Sequence, residues 1–477
     1  MLFTSIVYFL FLGSSLLVYY LIPAKYRNYF LIAASALFYM YVKIDYIFLI
    51  IFIILANYWT GIQIEKSETQ NNKLRYLYLS LLINLGILIF FKYWNFLIEN
   101  IFEILGWFHL NSQEPLPVLN IILPLGLSYY IFQTIGYTID IYRGSIKAEK
   151  NIFRFSLFTL FFPKLLVGPI ERANRFLPQL QKRIYFNKEN IIEGGKRIAR
   201  GLFKKLVVAD RISIYHATII STIHSQSGST ILFATILYTF QVYADFSGYT
   251  DMALGTARLF GFDLMENFKQ PLLAKNVSDF WRRWHISLSS WVNDYIFNPI
   301  ALKRRNWSNW GVFYALLISF VVIGIWHGAA WNYVLFGILQ ALALMYETLT
   351  KRARKRISKK IHPSIYKYSS ILLTFLFVTF SLIIFQSATL SDAWSIINGI
   401  FANHGELFYN NPPTLIFMLT GCGMMMLYDI QVEFKIFQFS FISNKKWITQ
   451  QTCYALLLIY ILIAGVFDGG QFIYFAF

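Results

Sequence analysis

The chain has 477 residues, 57% of them apolar and only 14% charged, with a formal charge of +18. This balance excludes an ordinary soluble domain and leaves a polytopic membrane protein, because apolar runs long enough to cross a hydrocarbon core of about 30 Å recur along the chain. The cations mark membrane sides and not a nucleic-acid surface: none lies between Lys92 and Arg143 or between Lys367 and Lys435, whereas sixteen oppose five acidic residues from Arg143 to Arg211.

No ten-residue alternating strands occur, and backbone polar groups must satisfy one another inside a bilayer, so the predicted spans are helices. The expected fold class is all-α: a polytopic integral membrane protein with about 11–12 transmembrane helices plus re-entrant or interfacial helices. Residues 2–22 lack a basic leader and a small-residue cleavage site and read as a retained anchor. Residues 29–42 go out and 46–62 return. Residues 76–96 lead out to an acidic loop with Glu99, Glu103 and Glu114, and 118–142 lead back.

Residues 155–167 are apolar for only thirteen positions, contain Pro163 and Lys164, and lie between basic segments. They are expected to dip in and return, or to lie in the interface, packed in protein or lining a cavity. Residues 206–223 and 230–248 form another pair, 251–305 are expected on the cytoplasmic side, and 310–349 form a further pair. KRARKRISKK (Lys351–Lys360) is expected to set topology and meet anionic lipid. Residues 368–385, 413–428 and 454–467 complete about a dozen crossings, with both termini extracytoplasmic. The whole chain reads as a single transmembrane domain with N-terminal helices (1–142), a core with the re-entrant segment and basic region (143–305), histidine-bearing helices (306–350) and C-terminal helices (351–477). Cys422 and Cys453 lie in apolar runs without metal-ligand spacing, so neither a disulfide framework nor a metal site is expected.

Three constellations stand out. His327 sits near the middle of 310–349, flanked by Gly324 and Gly328 at a spacing that lets another helix approach closely. Either the turn is at the outer surface, or the helices break early and place the imidazole at membrane depth. The bland reading is a histidine hydrogen-bonded across a helix interface; the functional one rests on the cost of ionisable groups in the bilayer. SDFWRRWHISLSSW (278–291) interleaves Asp279, Trp281, Arg282, Arg283 and His285 with aromatics. Its tryptophans and arginines either anchor the interface or, with Lys303, Arg304 and Arg305, bind an anionic donor. In YADFSGYTDMALGTARLFGF (243–262), Asp245 and Asp251 are expected in structural ion pairs with a cation such as Arg258.

As a set, GIWHGAAWNYVLFG (324–337), FWRRWHISLSSW (280–291) and the 243–262 string resemble the membrane-bound O-acyltransferase family. More narrowly they resemble its bacterial alginate O-acetyltransferase-like branch. LPLGLSYYIFQTIGYTIDIYRG (123–144), FFPKLLVGPIERA (161–173), GLFKKLVVADRI (201–212) and the closing FIYFAF (472–477) are similar too. One departure is ALKRRNW (301–307), where relatives often carry a glycine pair before the basic residues.

The resemblance implies an acetyl group taken from cytoplasmic acetyl-CoA and passed through a central channel across the inner membrane, for O-acetylation of a cell-envelope or exported polysaccharide. His327 maps onto the family's signature histidine and His285 onto its second polar position, giving two expected catalytic residues. Arg282, Arg283, Trp281, Lys303, Arg304 and Arg305 are expected to bind the donor, and Trp326, Trp331, Asn332 and Asp279 to line the channel. Acetyl-CoA is then substrate and no separate cofactor or metal is implied. An extracytoplasmic SGNH or esterase-like acetyltransferase is the expected partner, with membrane lipids around the chain and no nucleic acid. Two alternatives are D-alanyl transfer to teichoic acid from a carrier protein by the same fold, and a lipid-linked glycan flippase. An imidazole in this setting accepts a proton or attacks a thioester, while His285 orients the donor or stabilises an oxyanion.

Overall fold

The computed structural model describes residues 1–41, 43–108, 119, 123–402, 404–409, 411–436 and 447–467; among these there are helices and no strand. Glu114, the start of the predicted span 118–142 and the closing FIYFAF lie outside the described residues. Six helices are long and apolar enough to cross a membrane: Tyr46–Lys66, Gln70–Trp107, Asn309–His327, Trp331–Leu349, Pro363–Gln386 and Pro412–Phe434. Ile6–Leu21 and Ile448–Ala464 are shorter apolar helices. The protein is a multi-pass, all-helical membrane protein. The remaining predicted crossings fall on helices that are shorter, broken or more polar. The described residues group into two compact units.

The first unit comprises Met1–Ile191, Thr256–Leu264 and Gly328–Ala330. It holds α1 (Ile6–Leu21), α2 (Arg27–Met40), α3 (Tyr46–Lys66), α4 (Gln70–Leu88), α5 (Trp94–Trp107), α6 (Leu127–Tyr142), α7 (Ile152–Leu160), α8 (Phe162–Leu165) and α9 (Ala173–Gln181). A π turn, Ile89–Tyr93, joins α4 to α5. Helices α3, α4 and α6 meet through buried amides and hydroxyls: Asn84 Nδ2 donates to Asn57 Oδ1 at 2.8 Å, and Ser80 Oγ donates to Asn57 Oδ1 at 2.9 Å and to Thr138 Oγ1 at 3.1 Å. Interhelical hydrogen bonds of this kind hold membrane helices together where lipid gives no hydrophobic drive. The segment predicted to dip breaks at Phe161 between α7 and α8, and 161–171 are buried throughout, so the irregular backbone is packed in protein.

The second unit comprises Ile192–Gly255, Met265–His327 and Trp331–Phe477. After α10 (Lys188–Leu202), a π turn Phe203–Ala209 leads into α11 (Asp210–Ser221), and the 32-residue α12 (Gly228–Leu259) follows. Helices α10 and α12 touch backbone to backbone. A Cβ on Gly201 would lie 2.6 Å from the Gly248 carbonyl oxygen, and one on Gly255 2.7 Å from that of Gly194. The unit continues through α13 (Val277–Arg283), α14 (Ile286–Val292), α15 (Asn298–Lys303), α16 (Asn309–His327), α17 (Trp331–Leu349), α18 (Lys351–Lys360), α19 (Pro363–Gln386), α20 (Leu390–Ala402), α21 (Pro412–Phe434) and α22 (Trp447–Ala464).

Candidate active site

Helices α16 and α17 form a tight hairpin, and glycines set its closeness. A Cβ on Gly324 would sit 2.2 Å from the Tyr333 carbonyl oxygen, and one on Gly337 2.2 Å from that of Phe320. The sequence spacing pointed to Gly324 and Gly328; the glycine across the hairpin contact is Gly337. His327 is the last residue of α16, 4% exposed, with its ring edge-on to Phe385 at 5.1 Å and to Trp326 at 5.1 Å. The helix therefore breaks at the imidazole itself.

His327 lines a narrow apolar cavity together with Val242 of α12, Trp281, Trp284, Phe336 and Gln340 of α17, and Phe385 of α19. Its volume of about 20 Å³ is room for about one water molecule. Trp281 is held there by its indole N–H, which donates to Gln340 Oε1 at 3.1 Å.

The strap carrying Trp281 and Trp284 is short and is fixed from outside itself. Asn276 caps α13 by accepting the Asp279 N–H at 2.8 Å. The Glu347 carboxylate, from α17, accepts the Val277 N–H at 2.6 Å, the Ser278 N–H at 3.1 Å and the Ser278 hydroxyl at 2.7 Å. A carboxylate on the first N–H groups of a helix is stabilising in both charge and hydrogen bonding. At the other end Arg283 donates to both Glu433 oxygens, at 2.7 and 3.0 Å, and lies 3.1 Å from Asp279.

His285 follows the strap in a left-handed conformation, φ 43°, and caps α14. Its Nδ1 accepts the Leu288 N–H at 3.4 Å, which assigns the proton of the neutral ring to Nε2. Burial pushes its pKa down to about 3, so the ring is uncharged at neutral pH. Its edge-on neighbours are Phe246 at 4.7 Å and Trp326 at 5.4 Å. One indole, that of Trp326, thus lies against both imidazoles.

The other expected site residues divide clearly. Arg283 is engaged by two carboxylates, whereas Arg282 is 73% exposed and only 3.6 Å from Asp279. Lys303 and Arg305 are exposed, and Arg304 packs its guanidinium on Trp307 at 4.3 Å. These three precede α16 and His327 ends it, so the length of that helix, about 27 Å at 1.5 Å per residue, lies between them. Asn332 is buried, donating to the Ser387 carbonyl at 2.6 Å, and Trp331 is 59% exposed. Of the residues expected along a channel, Trp326 touches both histidines, but neither it nor Asn332, Trp331 or Asp279 is in the wall of the His327 cavity. Phe385, Gln340, Glu347 and Glu433 were missed by sequence reasoning, since each acts on an element distant along the chain.

The pairing expected for the aspartates is corrected. Asp251 lies 3.0 Å from Arg197 and 2.7 Å from Lys204, and Asp245 lies 2.8 Å from Lys205; Arg258 is not their partner. The close α10–α12 contact brings the upstream cations nearer than a residue two turns along the same helix.

The model of the membrane-bound O-acyltransferase family matches residues 145–363, which contain both histidines and the strap. The chain is 35% identical over 405 residues to the probable alginate O-acetylase of Azotobacter vinelandii, covering 84% of this chain and 78% of that one. It is 30% identical over 433 residues to the peptidoglycan O-acetyltransferase of Helicobacter pylori, covering 84% and 80%. It is also 30% identical over 295 residues to the teichoic acid D-alanyltransferase of Bacillus subtilis, covering 59% and 73%.

Proposed function

The chain belongs to the membrane-bound O-acyltransferase family, and from that premise we propose that it takes an acetyl group from cytoplasmic acetyl-CoA and passes it across the bacterial inner membrane to O-acetylate a cell-envelope or exported polysaccharide. The observation that carries the reading is His327: a buried imidazole ending a membrane helix at an aromatic-walled cavity. A ring nitrogen there takes the proton of an attacking hydroxyl, an action that typically contributes about 10² to 10⁴ in rate. His285, with its proton on Nε2, is a donor suited to the oxyanion that develops on the thioester carbonyl. Trp281 and Trp284 form the apolar wall for the acyl group and thioester, and exposed Arg282 is a point of attachment for the donor's phosphates.

An extracytoplasmic esterase-like transferase receives the acetyl group in this scheme, with both chain termini on that side. The greater similarity to the alginate and peptidoglycan O-acetylating relatives, over 84% of the chain against 59% for the D-alanyl one, favours acetyl-CoA over a carrier-bound D-alanyl group. The test is the purified protein in vesicles with radiolabelled acetyl-CoA, with and without a candidate partner. Label passes to acceptor with wild type and not with His327→Ala. Equal transfer by both proteins removes His327 from the chemistry, and transfer only from a D-alanyl carrier replaces the donor.

A further inference from the structure

Helix α18 carries seven cations and no acid in ten residues. Lys351 and Lys355, Arg352 and Arg356, Lys355 and Lys359, and Arg356 and Lys360 all stand at i,i+4 spacing. Like charges so placed oppose a helix, cations in the first turn meet the positive end of its dipole, and Thr350 adds no side-chain cap. Setting topology needs cations in this stretch but not a helix. Six of the seven are exposed, and among the described residues none of these six has a carboxylate in ion-pair reach. The counter-charge has to come from outside them.

The surroundings of α18 identify its source. Ala353, Ile357 and Ile361 follow one another at i,i+4 spacing, and Ile357 and Ile361 are exposed, as are Leu349 before the helix and Ile365 after it. Only Thr350 separates α18 from the span α17, and only Ile361 and His362 separate it from the span α19, so α18 is kept at the bilayer surface. A basic helix with an apolar stripe held there meets phospholipid, with its cations on the headgroup phosphates and its stripe at the acyl boundary. An acidic protein would suit the cations but leave the stripe uncovered.

Both ends of α18 lead to the groups that hold the strap. Arg354, the one cation of α18 that is not exposed, donates to the Glu347 carbonyl at 2.6 Å and to the Thr350 hydroxyl at 3.2 Å. The carboxylate of the same Glu347 accepts the Val277 and Ser278 N–H groups that begin α13. Past the other end, Lys367 of α19 lies over the Phe434 ring at 3.7 Å, and the adjacent Glu433 holds Arg283. Between these two anchors stands Trp281, in the wall of the His327 cavity. We propose that anionic phospholipid headgroups bound along α18 firm the hold of Glu347 on the strap, and so set turnover at the His327 site. Only the last step rests on the acyl-transfer reading above.

The test uses the purified full-length chain in vesicles of phosphatidylcholine, with and without phosphatidylglycerol. Hydrogen exchange over residues 277–281 is expected to slow when phosphatidylglycerol is present, and the slowing to fade as salt is raised. It is expected to be absent in Lys355→Gln/Arg356→Gln/Lys359→Gln/Lys360→Gln and kept in Lys355→Arg/Lys359→Arg/Lys360→Arg. Arg354→Gln is expected to retain phosphatidylglycerol in native mass spectra but to lose the slowing. Equal exchange in the two vesicle types for wild type, or a full response in the Gln variant, overturns the proposal. Slowing by glycerol phosphate or by an acidic carrier protein in phosphatidylcholine vesicles, to the same extent as by the lipid, overturns the choice of partner. For acetyl-CoA turnover, phosphatidylglycerol is expected to raise kcat at least about fivefold, the low end of ordinary coupling between two sites. KM is expected not to fall, since a firmer strap does not ease donor entry. Unchanged kcat despite slowed exchange overturns the link to the site, whereas slowed exchange in a chain that turns over no acetyl-CoA refutes the donor and supports the lipid-held strap.

Discussion

The hairpin glycines allow the position of His327 to be perturbed in a graded way. In Gly324→Ala the new methyl would meet the Tyr333 carbonyl oxygen at 2.2 Å, where real contacts hardly go below 3.0 Å, so α16 and α17 must part by at least 0.8 Å at that point. Gly337→Ala imposes the same 0.8 Å at Phe320. Overpacking of this size costs about 1–3 kcal/mol in either variant. The catalytic consequences differ, because Gly324 is three residues from His327, about 4.5 Å along the helix, and Phe320 is seven, about 10 Å. A displacement near 1 Å at a reacting group lowers rate by about 10²-fold. Gly324→Ala is therefore expected to lose about two orders of magnitude in turnover and Gly337→Ala far less, at similar thermal stability. Acyl transfer by both variants in vesicles, normalised to folded protein, decides the point. Equal loss in both, or none in Gly324→Ala, would refute the link between hairpin spacing and chemistry.

Other expectations concern single groups. His327→Ala should lower transfer by at least about 10²-fold while thermal unfolding stays close to wild type, which radiolabel transfer and a melting curve together report. Glu433→Gln weakens the two-pronged hold on Arg283 and should destabilise the strap by about 2–3 kcal/mol, read from thermal unfolding, whereas Arg282→Ala should raise KM for acetyl-CoA without that loss. Burial holds the His285 pKa near 3, below its ordinary 6.5. Between those values the unfolded chain takes up a proton that the folded chain does not, so stability falls with acidification through that window, by up to about 1.4 kcal/mol per pH unit. Thermal unfolding at pH 7 and pH 5 should show a smaller acid sensitivity in His285→Asn.

Much of the helical framework could be read from the sequence, because lipid allows few alternatives to long apolar helices. The break between α7 and α8 was signalled by the short run with Pro163 and Lys164, and the prominence of His327 by its apolar setting. The partners were not legible. Glu347 and Glu433 appear as ordinary charges near helix ends until α17 and α21 are set beside the strap. The contact of Gly201 with Gly248 and of Gly194 with Gly255 follows a spacing of seven, but only tertiary packing shows which helix faces which. The π turns at Ile89–Tyr93 and Phe203–Ala209 carry no composition signal, and the second is where Lys204 and Lys205 diverge to different aspartates.

Helix α17 grips the strap twice, at Gln340 through the Trp281 indole and at Glu347 through the α13 backbone. In the proposed transfer a donor thioester needs more room than one water, so these two contacts would have to yield as it enters. Loosening either contact is therefore expected to ease donor entry, and tightening them to oppose it.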